Sequence, residues 1–123
     1  MPRLLILHTG GTIGMQPSPT GYVPAAGFPD RLAHHLCESL DTQPGDPGRA
    51  VLPDYRLIEL APLIDSADLA PVDWNRIVAA LAEHWHDYEG FIVLHGTDTL
   101  AYTASALSFM LGPLDKPVVL TGA

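Results

Sequence analysis

GFIVLHGTDTLAYTASALSFML, residues 90–111, decides the fold. Phe91 to Leu94 form an apolar run suited to a strand buried on both faces. The run breaks at His95-Gly96-Thr97. It resumes from Thr99 as a helix, with Asp98 at its start and Gly112-Pro113 at its end. The pattern recurs on either side. LLILH (4–8) runs into TGGT, and VVL (118–120) runs into TGA. YRLIELA (55–61) alternates like a strand and leads into PLIDSAD. Helices fill the intervals. DRLAHHLCESL (30–40) sets Leu32, Leu36, Cys37 and Leu40 on one face behind Asp30 as N-cap. From Pro71, the residues Trp74, Ile77, Val78, Leu81 and Trp85 follow at helical spacing. Strands alternating with helices predict an α/β fold, a mostly parallel, Rossmann-like sheet flanked by helices. In such sheets the ligand lies beyond the carboxyl ends of the strands, where these Gly/Thr/Ser/Asp-rich loops would meet.

Two segments are expected to be irregular. MQPSPTGYVPAAGFP (15–29) carries four prolines and two glycines, which exclude a long helix or strand and read as an unusually long loop. DTQPGDPGR (41–49) is a turn-rich surface connection.

The 123 residues suffice for one small domain, and 47% hydrophobic against 16% charged residues is a globular composition. A net charge of −8 argues against a nucleic-acid partner, whose phosphates would be repelled. The single Cys37 excludes an internal disulfide and a cysteine-based zinc site. MPRLLILHTGG is too short in apolar residues for a signal peptide, and no segment approaches a membrane span. The protein is expected to be soluble and cytoplasmic.

TGGTIG (9–14) has three readings: a tight turn, a phosphate cradle, or space cleared around a reactive hydroxyl. The cradle lacks support, because no lysine or arginine lies between Leu4 and Asp30 and neither glycine-rich phosphate motif is matched. A turn explains Gly10 and Gly11 through positive φ but not the recurrence of Thr after Gly, at Thr12 and Thr97. A strand-end hydroxyl with glycine beside it suits a nucleophile. Thr97 and Asp98 admit two roles. Either one caps the following helix, or both face the crevice, where a carboxylate binds an ammonium and a hydroxyl holds water. Asp65 and Ser66 form another polar pair after a strand. His84 and His86, and likewise His34 and His35, diverge. His8 and His95 at equivalent strand ends lack a third ligand, so no metal is expected.

TGGTIG followed by HGTDTL, each after an apolar strand, resembles the bacterial-type L-asparaginase/glutaminase family. MQPSPTGYVP, LIDSADL, DWNRI and KPVVLTGA extend the likeness over the whole chain and toward the type I, cytosolic branch. The resemblance implies that residues 1–123 form that family's N-terminal α/β domain. It implies hydrolysis of the side-chain amide of L-asparagine, and of L-glutamine as a further substrate, without a cofactor and in a homo-oligomer. Thr12 would be the nucleophile that forms an acyl-enzyme, and Tyr22 on the long loop would close over the substrate and polarise Thr12. Thr97 and Asp98 would position water, with Asp98 also binding the α-ammonium. Ser66 with Asp65 would hold the α-carboxylate. Backbone N–H groups near Gly11 and Thr97 would serve as an oxyanion hole.

Two departures stand out. Ala67 replaces a serine usual in that branch. By the resemblance, residues 1–123 would also stop short of the family's C-terminal domain and of the segment bearing its catalytic lysine. Two alternatives follow: an inactive N-terminal fragment that binds an amino acid or oligomerises, and the ammonia-releasing subunit of a tRNA-dependent amidotransferase.

Overall fold

A computed structural model describes residues 3–25, 27–41 and 53–122. The surface connection 41–49 falls almost wholly outside these residues, as do the side chains of Cys37 and Leu40. Four parallel strands form the central sheet: β1 (Leu4–His8), β4 (Tyr55–Glu59), β5 (Gly90–His95) and β6 (Val118–Gly122), in the order β4-β1-β5-β6. The central pair, β1 and β5, is almost wholly buried, as their continuous apolar runs require.

Helices cover both faces. α1 (Phe28–Asp41) lies on one side, where Phe28 and Leu32 meet Ile6, Leu94, Leu57 and Ile92. α2 (Pro71–His84) and α3 (Leu100–Met110) lie on the other. There Ile77, Leu81 and Leu107 pack with Leu5, Leu7, Phe91 and Val93 in the main core. The faces are set by the two-residue period of the strands and the i, i+4 spacing of the helices. Each such buried side chain stabilises the fold by about 1.5–3 kcal/mol. Among the described residues no helix is long and apolar enough to cross a membrane.

The strand order locates the crevice. From β1 the chain crosses to β4 on one side, and from β4 it returns past β1 to β5 on the other. The loops after β1 and β5 therefore diverge, and an open α/β sheet binds its ligand at that switch point.

The structure departs from the sequence reading in several places. Residues 15–29 are not one loop. β2 (Met15–Ser18) and β3 (Gly21–Pro24) form an antiparallel hairpin with Ser18 opposite Gly21. Prolines fit here because the ladder has only two strands and each has a free edge. Gly21 takes φ 113°, and the Ser18 hydroxyl closes the turn onto its carbonyl at 2.6 Å. α1 begins at Phe28, so Asp30 is not its cap. It lies in the first turn, where its charge suits the helix dipole. α2 ends at His84, and Trp85 belongs to a 3-10 turn that follows.

Candidate functional site

The loop after β1 is anchored at its first residue. Thr9 is buried, its hydroxyl donates to the Leu94 carbonyl at 2.7 Å, and its carbonyl accepts from Ile64 N at 2.7 Å. Gly10 follows with φ 147°, and a Cβ there would run into the Ile64 carbonyl. Only glycine satisfies both constraints. A short 3-10 turn, Thr12–Gly14, then exposes Thr12. Arg31, one residue beyond the cation-free stretch, reaches back from α1 and donates to the Gly14 carbonyl at 2.9 Å. It braces the base of the hairpin.

The loop after β5 is anchored differently. α3 starts at Leu100, with Thr99 at the N-cap making no side-chain cap bond. The capping role open to Thr97 or Asp98 is therefore not taken. Asp98 instead accepts from the Ser66 hydroxyl at 3.3 Å, and Thr99 Oγ1 donates to the Ser66 carbonyl at 2.8 Å. These bonds stitch the loop after β5 to the loop after β4. Gly96 is required at the crossing, since a Cβ there would collide with the Ser66 side chain.

The third loop is shaped by Asp65, whose Oδ1 accepts from Ala67 N at 3.0 Å and starts the 3-10 turn Ser66–Asp68. At its far end Ala70 N donates to Asp73 Oδ2 at 2.9 Å, and Arg76 pairs with Asp73 at 3.1 Å while donating to the Pro62 carbonyl. The backbone bond from Ala70, followed by Arg76, holds the Asp73 carboxyl below the usual carboxylate range.

A cleft of about 140 Å³ results, lined by Gly11, Thr12, Met15, Asp65, Ser66, Gly96, Thr97 and Asp98. Six of the seven residues singled out from the sequence line it; Tyr22 does not. Tyr22 lies on β3, 64% exposed, and lines an adjoining cavity of about 310 Å³ with His8, Gly14, Leu63 and Ile64. The two cavities share Gly11, Met15 and Asp65. Among the described residues no lysine or arginine lines either cavity, and none offers a cation to a phosphate there.

Thr9, Thr99 and the Asp73–Arg76 pair were not singled out from the sequence. The Thr9 and Thr99 side chains act on backbone brought near by the fold, which no local spacing marks; Asp73, three residues from both Ala70 and Arg76, carries a local signal in its i, i+3 spacing at a helix start.

Three hydroxyls and two carboxylates at the switch point of a parallel sheet define an α/β domain with a small polar cleft suited to a compact, cationic or zwitterionic ligand. The family model described as Asparaginase, N-terminal, matches residues 3–123, and the chain belongs to that family. L-asparaginase 1 of Escherichia coli strain K12 is 48% identical over 120 residues, covering 98% of this chain and 33% of that protein. The 60 kDa lysophospholipase of Mus musculus is 42% identical over 135 residues, covering 98% of this chain and 24% of its own length. Among solved structures, L-asparaginase I from Vibrio cholerae superposes with a TM-score of 0.79 at 42% identity, covering 98% of this chain and 34% of that one. The chain thus spans a third or less of these relatives.

Proposed function

We propose that the protein hydrolyses the side-chain amide of L-asparagine to L-aspartate and ammonia. One observation carries this reading: Thr12, Thr97, Asp98 and the Asp65-Ser66 pair line a single cleft. Asp98 takes the α-ammonium. Ser66 has one hydroxyl proton, which it gives to Asp98 when the site is empty. Once an ammonium occupies Asp98, that proton is free to turn to the α-carboxylate, so the two anchors engage together. Polar anchors of this kind suit an amino-acid head better than a lipid.

With the head held, the amide carbonyl lies between the two threonines. Thr12 Oγ attacks the carbon, backbone N–H groups near Gly11 and Thr97 receive the oxyanion, and the hydroxyl proton passes to the departing ammonia. Water positioned by Thr97 and Asp98 then adds to the acyl carbon. The C–O bond to Thr12 breaks, a proton from that water restores the Thr12 hydroxyl, and aspartate leaves. Tyr22, carried by an exposed hairpin beside the cleft, closes the site and excludes bulk water while the acyl-enzyme exists.

The test is ammonia release from L-asparagine by the purified protein and by Thr12→Ala, with L-aspartate binding measured by isothermal titration. The expected result is turnover lost by at least about 1,000-fold in Thr12→Ala with aspartate binding retained. Turnover that survives the substitution rejects Thr12 as nucleophile. Aspartate binding without turnover in the unmodified protein rejects hydrolysis in favour of a binding role.

A further inference from the structure

Behind the β5 loop lies a buried chain of hydrogen bonds that no step above uses. Trp74 Nε1 on α2 lies 3.0 Å from Thr103 Oγ1 on α3, which lies 2.9 Å from His95 Nε2. On the other side of the ring, His95 Nδ1 lies 2.6 Å from the Gly96 carbonyl. His95 and Thr103 are essentially inaccessible to solvent.

Elementary chemistry orients every proton in this chain. An indole N–H only donates and a carbonyl only accepts. Thr103 accepts from Trp74 and has one proton to give, which goes to His95 Nε2. A neutral ring that accepts at Nε2 carries its proton at Nδ1, and that proton points at the Gly96 carbonyl.

The bond has a consequence one peptide further on. Among the described residues the only cis peptide is Ala61–Pro62, so Gly96–Thr97 is trans. In a trans peptide the C=O and the following N–H point in opposite directions. Drawing the Gly96 carbonyl back toward α2 and α3 turns the Thr97 N–H the other way, toward the side on which Gly96 and Thr97 line the cleft.

We propose that His95 is a positioning residue. Fixed as the Nδ1–H tautomer by Thr103 and Trp74, it clamps the Gly96–Thr97 peptide so that the Thr97 N–H is presented to the oxyanion of the amide-cleavage reaction. The catalytic half of this proposal rests on the reading above; the tautomer and the clamp do not. A donor fixed in advance needs no reorganisation as charge develops, which is where such a group gains its effect.

The first measurement is the 15N spectrum of histidine-labelled protein at neutral pH. The expected result is a His95 ring protonated at Nδ1 alone. A ring protonated at Nε2, or at both nitrogens, overturns the clamp whether or not the protein turns over asparagine. The second is steady-state kinetics on a graded set. His95→Leu removes the donor to Gly96 and is expected to lower kcat by about 10–100-fold with KM nearly unchanged, short of the roughly 100–1,000-fold loss of a whole oxyanion donor. His95→Asn sets an amide N–H near the Nδ1 position and is expected to recover most of that loss. His95→Gln reaches only the Nε2 position and is expected not to. Equal losses in Asn, Gln and Leu variants reduce His95 to packing and overturn the proposal. Thr103→Val, which keeps the imidazole, is expected to mix the two tautomers, whereas Thr103→Ser preserves the single one. An unmixed spectrum in Thr103→Val removes Thr103 from the clamp. Absence of turnover in the unmodified protein rejects the amidohydrolase reading, and the tautomer then decides the clamp alone.

Discussion

His8 and His95 end neighbouring parallel strands, and each is about 1% exposed. They face opposite sides of the sheet. His95 points toward α2 and α3, where Thr103, itself bonded by Trp74, meets its Nε2, while its Nδ1 is bonded to the Gly96 carbonyl. His8 points toward α1, where its ring packs 4.4 Å from that of Phe28 and its Nδ1 has no hydrogen-bond partner among the described residues. Burial, helped by Arg31 and opposed by Glu59, pushes the His8 pKa below its ordinary value. A buried imidazole becomes a device only where the covering helix offers it a hydroxyl. Where the helix offers a ring, the imidazole fills space and leaves a polar atom uncompensated.

The glycine beside each histidine sharpens the contrast and carries the largest expected effect. A Cβ on Gly96 meets Ser66 Oγ and lies 3.5 Å from Gly11 Cα, both in the cleft. Gly96→Ala is therefore expected to cost about 1–3 kcal/mol through overpacking. It is also expected to lower kcat/KM by about 100-fold, because Ser66 must leave Asp98 to make room. A Cβ on Gly14 meets the His8 ring instead. Gly14→Ala should lose comparable stability, and the smaller side chain of His8→Ala in the same molecule should restore part of it. Thermal denaturation and asparagine kinetics on the three variants check this. If His8→Ala does not relieve Gly14→Ala, the close approach of ring to glycine is not what limits that end.

Much of this was legible in the sequence. Apolar runs broken by His8-Thr9-Gly10-Gly11, His95-Gly96-Thr97 and Thr121-Gly122 announced the parallel strands, and the recurrence of Gly-Thr at Gly11-Thr12 and Gly96-Thr97 pointed to the strand ends where the cleft lies. The hairpin at 15–24 was hidden, because prolines exclude a central strand but not a two-stranded ladder with free edges. The free state of Asp98 was hidden as well. Thr97-Asp98 before a helix reads equally as a cap, and only the position of Ser66 from another loop decides between them. The different fates of His8 and His95 were invisible, since LLILH and FIVLH present the same pattern. What separates them is the identity of the residues on α1 and α3 that the register brings opposite.

A smaller effect is expected at the outer end of the His95 chain. Trp74→Phe keeps the half-buried ring but removes the N–H, so Thr103 loses a donor while its own proton still serves His95. The expected cost is about 1 kcal/mol in urea denaturation, near that of one neutral hydrogen bond, with kcat within about threefold of the unmodified protein. A loss of kcat as large as that of His95→Leu would show that Trp74, rather than Thr103, sets the tautomer.

The smallest effect belongs to His8 and depends on pH. Its folded pKa is lowered, so below about 6.5 the unfolded chain takes up a proton that the folded protein refuses. Folding stability from this group is therefore intact above the ordinary histidine range. It falls as pH drops below that range, until the folded ring titrates as well. The slope cannot exceed about 1.4 kcal/mol per pH unit for one proton. His8→Phe replaces an imidazole lacking a partner with a ring that stacks on Phe28 and binds no proton. The variant is expected to match or slightly exceed the unmodified protein at pH 7.5. Its advantage should grow toward pH 5.5, read as diverging Tm curves. Parallel curves would mean that His8 is protonated as readily in the folded protein as in the unfolded chain. In that case the strand end facing α1 would not be the unsatisfied counterpart of the one facing α3.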